Sequence, residues 1–440
     1  MWFHVKGHAK TTRSIMQLPP KRDCANVPAG RRFSADFWKF LLGQTISNVG
    51  SSFTIFVLPL LVFKLTGSAL NLALVAAAEY VPYLLFGLII GAWVDRVDRR
   101  RLMILTDITQ ALVISSIPLL AALGLLSVWW IYAVGFVSST LWIFFNTAEF
   151  AAVPSLVIRE DLPAANGHLQ ASYAAATVVG PLLAGLLVAV APIHQVLVVD
   201  ALSFLVSALI VGLIKINFHS VNSAEQQRPG NFHREVAEGL RYVLGHPILR
   251  NTCLMMALVT CVGFTVYAQL VFYAKERLGA SDTQVGLLYA AGSIGMIALA
   301  LAASPLRRRL SFSKVMLGTL MLQGVLTVLL ASTRSYWVGL LLWAVMWGLV
   351  VLFDITSNSL WQTIVPNRLL GRVQSVINVL SWSAIPLGTF IGGVAIEQTQ
   401  DVALVYRAIG VIILLAALAF SFTALGHAER YLPQSESHEP

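Results

Sequence analysis

Two carboxylates stand alone inside long apolar runs. Glu79 lies in EYVPY, midway along a run from Ala69 to Trp93, and Asp354 lies in a run from Tyr336 to Asn358. An ionisable side chain costs on the order of 3 kcal/mol or more at the centre of a bilayer, so each is a functional candidate. A carboxylate kept there can exchange a proton with solvent or pair with a cationic solute. A second concentration of charge follows the first run, where residues 91–102 read GAWVDRVDRRRL. Two aspartates and four arginines occupy the positions from 95 to 101. Glu149, near the end of another apolar run, is expected to pair with this arginine knot.

Other chemistries lack residues. The nine histidines are scattered, mostly in polar stretches, so no clustered catalytic set supports an enzyme. No G-x-x-x-x-G-K-[ST] loop is present to bind nucleotide phosphates. Three cysteines, Cys24, Cys253 and Cys261, show no metal-ligand spacing. The last two sit about 12 Å apart along one helix, too far for a disulfide. No cofactor is expected.

The elements that position the two acids follow from composition. Of 440 residues, 57% are apolar and 12% are charged, about half the charge of an ordinary soluble domain. The charges cluster between apolar stretches of about twenty residues, the length of a helix that crosses a bilayer. Lipid offers no partner for free backbone groups, and the runs are continuous rather than alternating, so helices are expected. Twelve spans are predicted: 38–63, 69–93, 102–123, 128–150, 169–190, 193–214, 250–274, 284–303, 313–331, 336–358, 374–396 and 402–425. Residues Ala191 to Gln195 make the shortest turn. The polar head shows no cleavable leader, and Met16 is a possible later start.

With an even number of spans, both termini share one side. Twenty-five of the thirty lysines and arginines then fall on that side, leaving Lys64, Lys275, Arg277, Arg334 and Arg407 on the other. Basic residues stay on the cytoplasmic side during insertion, so both termini are expected in the cytoplasm. This distribution accounts for the net charge of +9 without nucleic-acid binding.

The longest internal polar segment divides six spans from six. The expected organisation is a cytoplasmic tail (1–36), a first six-helix half (37–214), a cytoplasmic linker (215–249), a second six-helix half (250–426) and a closing tail (427–440). In the linker, Phe232, Val236, Leu240 and Val243 share one helical face. That face suits either a helix lying on the membrane surface or a solvated connector. The halves echo each other: Asn146 and Asn358, and Pro154 and Pro366, are each 212 positions apart. Internal duplication of this kind places binding sites between the repeats near the midplane.

The knot resembles the signature loop of the major facilitator superfamily. Gly91, Asp95, Arg96, Arg99 and Arg100 occupy its places, while Asp98 stands where the family usually has glycine. The D-R-x-D-R form and the segment FFNTAEFAAVPSLVIREDLPAANGHLQ (144–170) are similar to the enterobactin-exporter and macrolide-efflux branch. The segment AAATVVGPLLAG (174–185) resembles the antiporter motif of exporting members, with Gly180, Pro181 and Gly185 matching and Ala176 and Ala184 in glycine places.

The resemblance implies an all-α membrane protein of twelve helices in two six-helix halves, the major facilitator fold. It implies that Gly91, Asp95, Arg96, Arg99 and Arg100 latch the cytoplasmic side against the start of the eleventh span near Gly371 and Arg372; Arg101 is expected only to anchor topology. It places Glu79 and Asp354 on cavity-bordering helices, as coupling or substrate residues. Asp107 and Asp200 fall on peripheral helices and are expected to serve packing. One departure stands out: many proton-driven exporters carry an arginine in the fourth span, and residues 128–150 hold no lysine or arginine.

The expected protein is a secondary-active transporter, a monomer in the plasma membrane. It would drive efflux of small hydrophobic molecules (a drug, a macrolide-like compound or a siderophore) with protons as coupling ion. An uptake symporter of the same fold is the alternative, and a non-transporting membrane sensor a more distant one. Trp129, Trp130, Tyr336 and Trp337 are expected at the membrane interface. Trp343, Trp347, Trp361 and Trp382 are expected to pack, or else to line the cavity.

Overall fold

The computed structural model describes residues 33–94, 97–216, 218 and 232–431, and the described residues form helices with no strand. The first half comprises α1 (Ala35–Thr66), α2 (Ala69–Val94), α3 (Arg99–Ala122), α4 (Val128–Leu156), α5 (Leu162–Val190) and α6 (Ile193–Gly212). A separate α7 (Phe232–Gly245) precedes the second half. That half comprises α8 (Pro247–Ala268), α9 (Leu270–Glu276), α10 (Asp282–Arg309), α11 (Phe312–Ser332), α12 (Tyr336–Ile364), α13 (Asn367–Trp382), α14 (Ala384–Thr399) and α15 (Val402–Ser421). Twelve stretches among the described residues are long and apolar enough to cross a bilayer, as the composition requires.

Helix starts are set by local chemistry. Ser34, Asp98, Ser127 and Ser281 each accept a hydrogen bond from a backbone N–H of the first turn they cap. At Ser281 the bond is reciprocal, because the Gln284 side chain reaches back to the Ser281 N–H at 2.8 Å. Two of the twelve spans predicted from the sequence, 250–274 and 374–396, are broken. The seventh divides at Gln269, between α8 and α9, and the eleventh at Ser383, between α13 and α14. Pro386 has no N–H to give the Trp382 carbonyl, which explains the second break. Between α5 and α6 only Ala191 and Pro192 lie outside the helices, where the predicted spans 169–190 and 193–214 end and resume.

Twelve crossings return the chain to the end where it began, so Ala35 and Ser421 share one end of the bundle. At the opposite, far end, a single apolar core joins both halves: Phe56, Leu60 and Leu72 pack with Leu270, Tyr273 and Tyr406. Toward the tail end the core divides. Phe37, Phe40, Met103 and Val153 belong to the first half alone, and Met316, Phe353, Val373 and Ile377 to the second. Val243 of α7 is fully buried in the last of these clusters, so α7 docks on the protein through that residue, while Leu240 is exposed. Phe232 and Val236 have side chains outside the described residues. The outer faces carry exposed apolar side chains such as Val190 and Leu301, as a lipid-facing surface must.

Candidate functional site

Between the halves lies a cavity of about 570 Å³, within the range of small-molecule sites. Glu79 of α2 and Asp354 of α12 both line it. Both side chains are half-buried, and neither carboxylate has a hydrogen-bond or ion-pair partner among the described residues. Their place on α2 and α12 makes one cavity face acidic from each half. Aromatic rings form much of the wall. Tyr80 meets Phe264 edge-on with centroids 4.9 Å apart, and Tyr83 meets Trp382 at 5.7 Å. Both contacts join α2 to the second half. Deeper on that half, Tyr267 contacts Trp347 at 5.0 Å.

Three of the four uncertain tryptophans, Trp343, Trp347 and Trp382, therefore line the cavity, while Trp361 packs in an apolar cluster. The residues that sequence reasoning missed are mainly tyrosines and phenylalanines. Tyr80 and Tyr83 follow Glu79 in EYVPY, and the signal available was Tyr83, four residues on and so on the Glu79 face of the helix; nothing comparable marked Tyr80. Tyr336 is not an interface anchor: it is buried, with its hydroxyl donating to the Gln284 carbonyl at 2.9 Å. Trp129 and Trp337 are strongly exposed, as anchors should be.

The seam beneath the cavity explains the glycines of α5. A Cβ on Gly180 would lie 2.2 Å from Ser52 Cβ of α1. On the adjoining stretch of the same helix, a Cβ on Gly286 of α10 would lie 2.6 Å from the Pro181 carbonyl oxygen and 3.1 Å from Gly185 Cα. Gly180 thus admits α1, and Gly185 and Gly286 let the two halves touch backbone to backbone. Ala176 and Ala184, in the glycine places of the motif, are buried; small residues suffice there.

Polar contacts lock the far end. Lys64 of α1 pairs with Asp282 of α10, and Lys275 pairs with the other Asp282 oxygen at 2.5 Å. Ser68 Oγ donates to Glu397 at 3.0 Å, and Gln269 Nε2 donates to the Ala69 carbonyl at 2.8 Å. The Thr283 hydroxyl donates to the Gly185 carbonyl at 3.0 Å. Among the described residues the apolar core is shared at this end and divided toward the tail end, so the halves are closed at the far end and part toward the tail end.

The knot resolves into separate tasks. Asp98 caps α3 by accepting from the Arg101 N–H at 3.1 Å, which accounts for an aspartate in the glycine place. Arg99 donates to the carbonyls of Ala151 at 3.0 Å and Phe218 at 3.3 Å, and Arg100 donates to the Gly212 carbonyl. Arg100, at the carbonyl end of α6, suits the dipole of that helix. Arg101 is highly exposed and pairs with Asp98 at 3.6 Å. Asp95 and Arg96 lie outside the described residues, as do the side chains of Arg372 and the surroundings of Gly91 and Gly371.

The remaining acids differ from expectation in part. Asp200 is buried and accepts from the Thr54 hydroxyl and from Ser203 Oγ at 3.3 Å, tying α6 to α1 as a packing residue, yet it also reaches the cavity wall. Among the described residues Glu149 forms no ion pair with the knot. It lines a second, polar chamber inside the first half, together with Asp107. Within the knot, Arg99 and Arg100 are engaged with backbone carbonyls, which a sequence cannot reveal.

Residues 33–440 match the family described as transmembrane secretion effector. The chain is 28% identical over 361 residues to the multidrug efflux pump Tap of Mycolicibacterium fortuitum, covering 80% of this chain and 87% of that protein. It is 25% identical over 369 residues to macrolide efflux protein A of Streptococcus pyogenes, covering 82% and 89%. Its fold is similar to that of a bacterial homologue of the human lysosomal transporter Spinster in an inward-facing, unoccupied conformation, with a TM-score of 0.71 at 13% identity over 90% of this chain and 97% of that one. With twelve crossing helices in two halves around one cavity, the chain belongs to the transmembrane secretion effector family of the major facilitator superfamily and is a multi-pass membrane protein.

Proposed function

We propose that this protein exports small hydrophobic or amphipathic molecules from the cell by alternating access, driven by a proton gradient. The observation that carries the reading is the cavity itself. It is aromatic, lies between the halves, and is faced from each half by a carboxylate, Glu79 and Asp354, that has no partner among the described residues. Aromatic walls suit apolar and cationic solutes alike. A carboxylate that binds a proton in one state and releases it in the other can couple that gradient to the movement of the halves. The efflux named for the pump of M. fortuitum and the protein of S. pyogenes supports the outward direction. With both termini in the cytoplasm, the cavity parts toward the cytoplasm and would load there.

The knot belongs to the same cycle. Gly91, Asp95, Arg96, Arg99 and Arg100 would latch the cytoplasmic side when the cavity turns outward, and the helix-end bonds of Arg99 and Arg100 support a rigid mounting on the first half. Gly180, Pro181 and Gly185 would form the pivot against α10. No arginine of α4 takes part, because residues 128–150 contain none; the coupling acids work without that partner.

Everted membrane vesicles with an imposed pH gradient test the reading, using a panel of fluorescent dyes. Uptake into vesicles is expected for the intact chain, with at least about a tenfold loss of gradient-driven uptake in Glu79→Gln or Asp354→Asn. Dye movement out of the vesicles would mark an uptake symporter. Gradient-driven uptake unchanged in both variants would remove these residues from coupling.

A further inference from the structure

The second chamber, of about 400 Å³, is enclosed by α1, α3, α4, α5 and α6 of the first half alone. We infer that it is a subsite for a protonated amine, holding the cationic end of a substrate whose apolar body occupies the central cavity. The identity of the occupant rests on the export reading above; the chemistry of the chamber does not.

Three observations point the same way. First, the chamber is polar and its lining among the described residues carries two carboxylates, Asp107 and Glu149, and no lysine, arginine or histidine. Second, its lining holds buried polar groups that lack full hydrogen bonding among the described residues, the acceptors Asp107 and Gln110 and the donor Gln44 Nε2, with the Ser207 hydroxyl the protein donor that faces Asp107. Asp107 is 1% exposed and Gln110 is 5% exposed; among the described residues Gln110 Oε1 has no hydrogen-bond partner, and Asp107 Oδ2 has none of normal geometry beyond the neighbouring Ser207 hydroxyl. The Gln110 amide is held in place from its other side, where Nε2 donates to the Ser138 carbonyl at 3.2 Å. A buried acceptor left unmade is costly, so such a pair is unusual unless a donor visits it. Third, the chamber is continuous with the central cavity: Asn48, Ser51, Gln110, Trp142, Tyr173 and Phe204 line both.

The occupant follows from these needs. It must donate hydrogen bonds to Asp107 and Gln110, and it must be positive to lie between two carboxylates. The space exceeds what a bare ion fills, and the shared rings of Trp142, Tyr173 and Phe204 favour an organic cation. An alkylammonium group meets each condition. Asn146, Asn166 and Gln170, all exposed, line the rim, so the polarity of the path from mouth to floor is unbroken.

The test is equilibrium binding to the purified full-length chain in detergent, read by fluorescence anisotropy. The probes are monodansylcadaverine, which carries a primary ammonium, and its N-acetyl derivative, which keeps the body and loses the charge. The intact chain is expected to bind the ammonium probe roughly tenfold more tightly, the scale of a charged hydrogen bond. Glu149→Gln and Asp107→Asn should each cut that preference several-fold and leave the affinity for the acetylated probe unchanged. Should Asp107→Asn not fold, Glu149→Gln alone decides, with acetylated-probe binding as its control. An intact chain without preference, or variants that keep it, overturns the inference. A preference lost only in Glu79→Gln assigns the amine to the central cavity and overturns it too. The export reading fails separately, if cells making the protein accumulate as much dye as cells that do not.

Discussion

Lys64 and Asp282, 218 positions apart, form an ion pair that joins the end of α1 to the start of α10. Lys275 holds the other oxygen of the same aspartate at 2.5 Å, so one carboxylate fastens two helices from opposite halves. The pair sits at the closed far end, and opening that end requires it to part. Two of the five basic residues on the sparsely charged side thus serve closure.

Asp282→Asn is therefore expected to favour the state open at the far end. Spin labels at Leu125 and Arg334, on far-end loops of the two halves, report the separation. The longer distance should gain population, by no more than about fivefold, because exposed ion pairs contribute about 0–1 kcal/mol. An unchanged distance distribution would show that the pair does not hold the gate.

At Gly286 the limit is steric. Its Cβ position is 2.6 Å from the Pro181 carbonyl, so Gly286→Ala forces α5 and α10 apart along the seam. A loss of about 1–3 kcal/mol is expected from such overpacking, read as a lowered midpoint of thermal unfolding in detergent. Gly318→Ala, on α11 where nothing lies within 4 Å, supplies the control and should not lower the midpoint. Equal behaviour of the two variants would rule out a tight seam.

Glu429, beyond the last membrane span, gives a pH dependence with a definite sign. Burial pushes its carboxyl up, but bonds from the Ser313 N–H at 3.0 Å and the Ser313 hydroxyl at 2.8 Å outweigh that and hold it below the ordinary 4.5. A depressed folded-state pKa means the contribution is complete above about pH 4.5 and is lost as pH falls through the folded value. Glu429→Gln should thus melt lower than the intact chain at pH 7 and converge with it near pH 3. A gap that persists at pH 3 would mean the carboxylate charge is not what stabilises the start of α11.

How much of this was legible beforehand depends on range. Twelve spans, their helical nature and the pairing of six with six follow from hydropathy and charge, because the bilayer forces every crossing segment to be apolar and to satisfy its own backbone. Glu79 and Asp354 stood out for the same reason: each breaks an apolar run at a real energetic cost, and that cost is visible in one dimension. Gly180, Pro181 and Gly185 were visible as a pattern of small residues, but not that Gly180 serves α1 while Gly185 serves α10.

The tertiary structure alone decided which lone groups meet. Asp107 and Glu149 come from different helices, and only packing brings them to one chamber with Gln110; in the chain they are separated by a span and a turn. Lys64 finds Asp282 for the same reason, and Tyr80 finds Phe264. Composition determines which segments leave water, since each residue carries its own transfer energy. Partnership is a property of pairs, and side chains hundreds of positions apart acquire it only when helices pack closely enough for one to exclude water from the other.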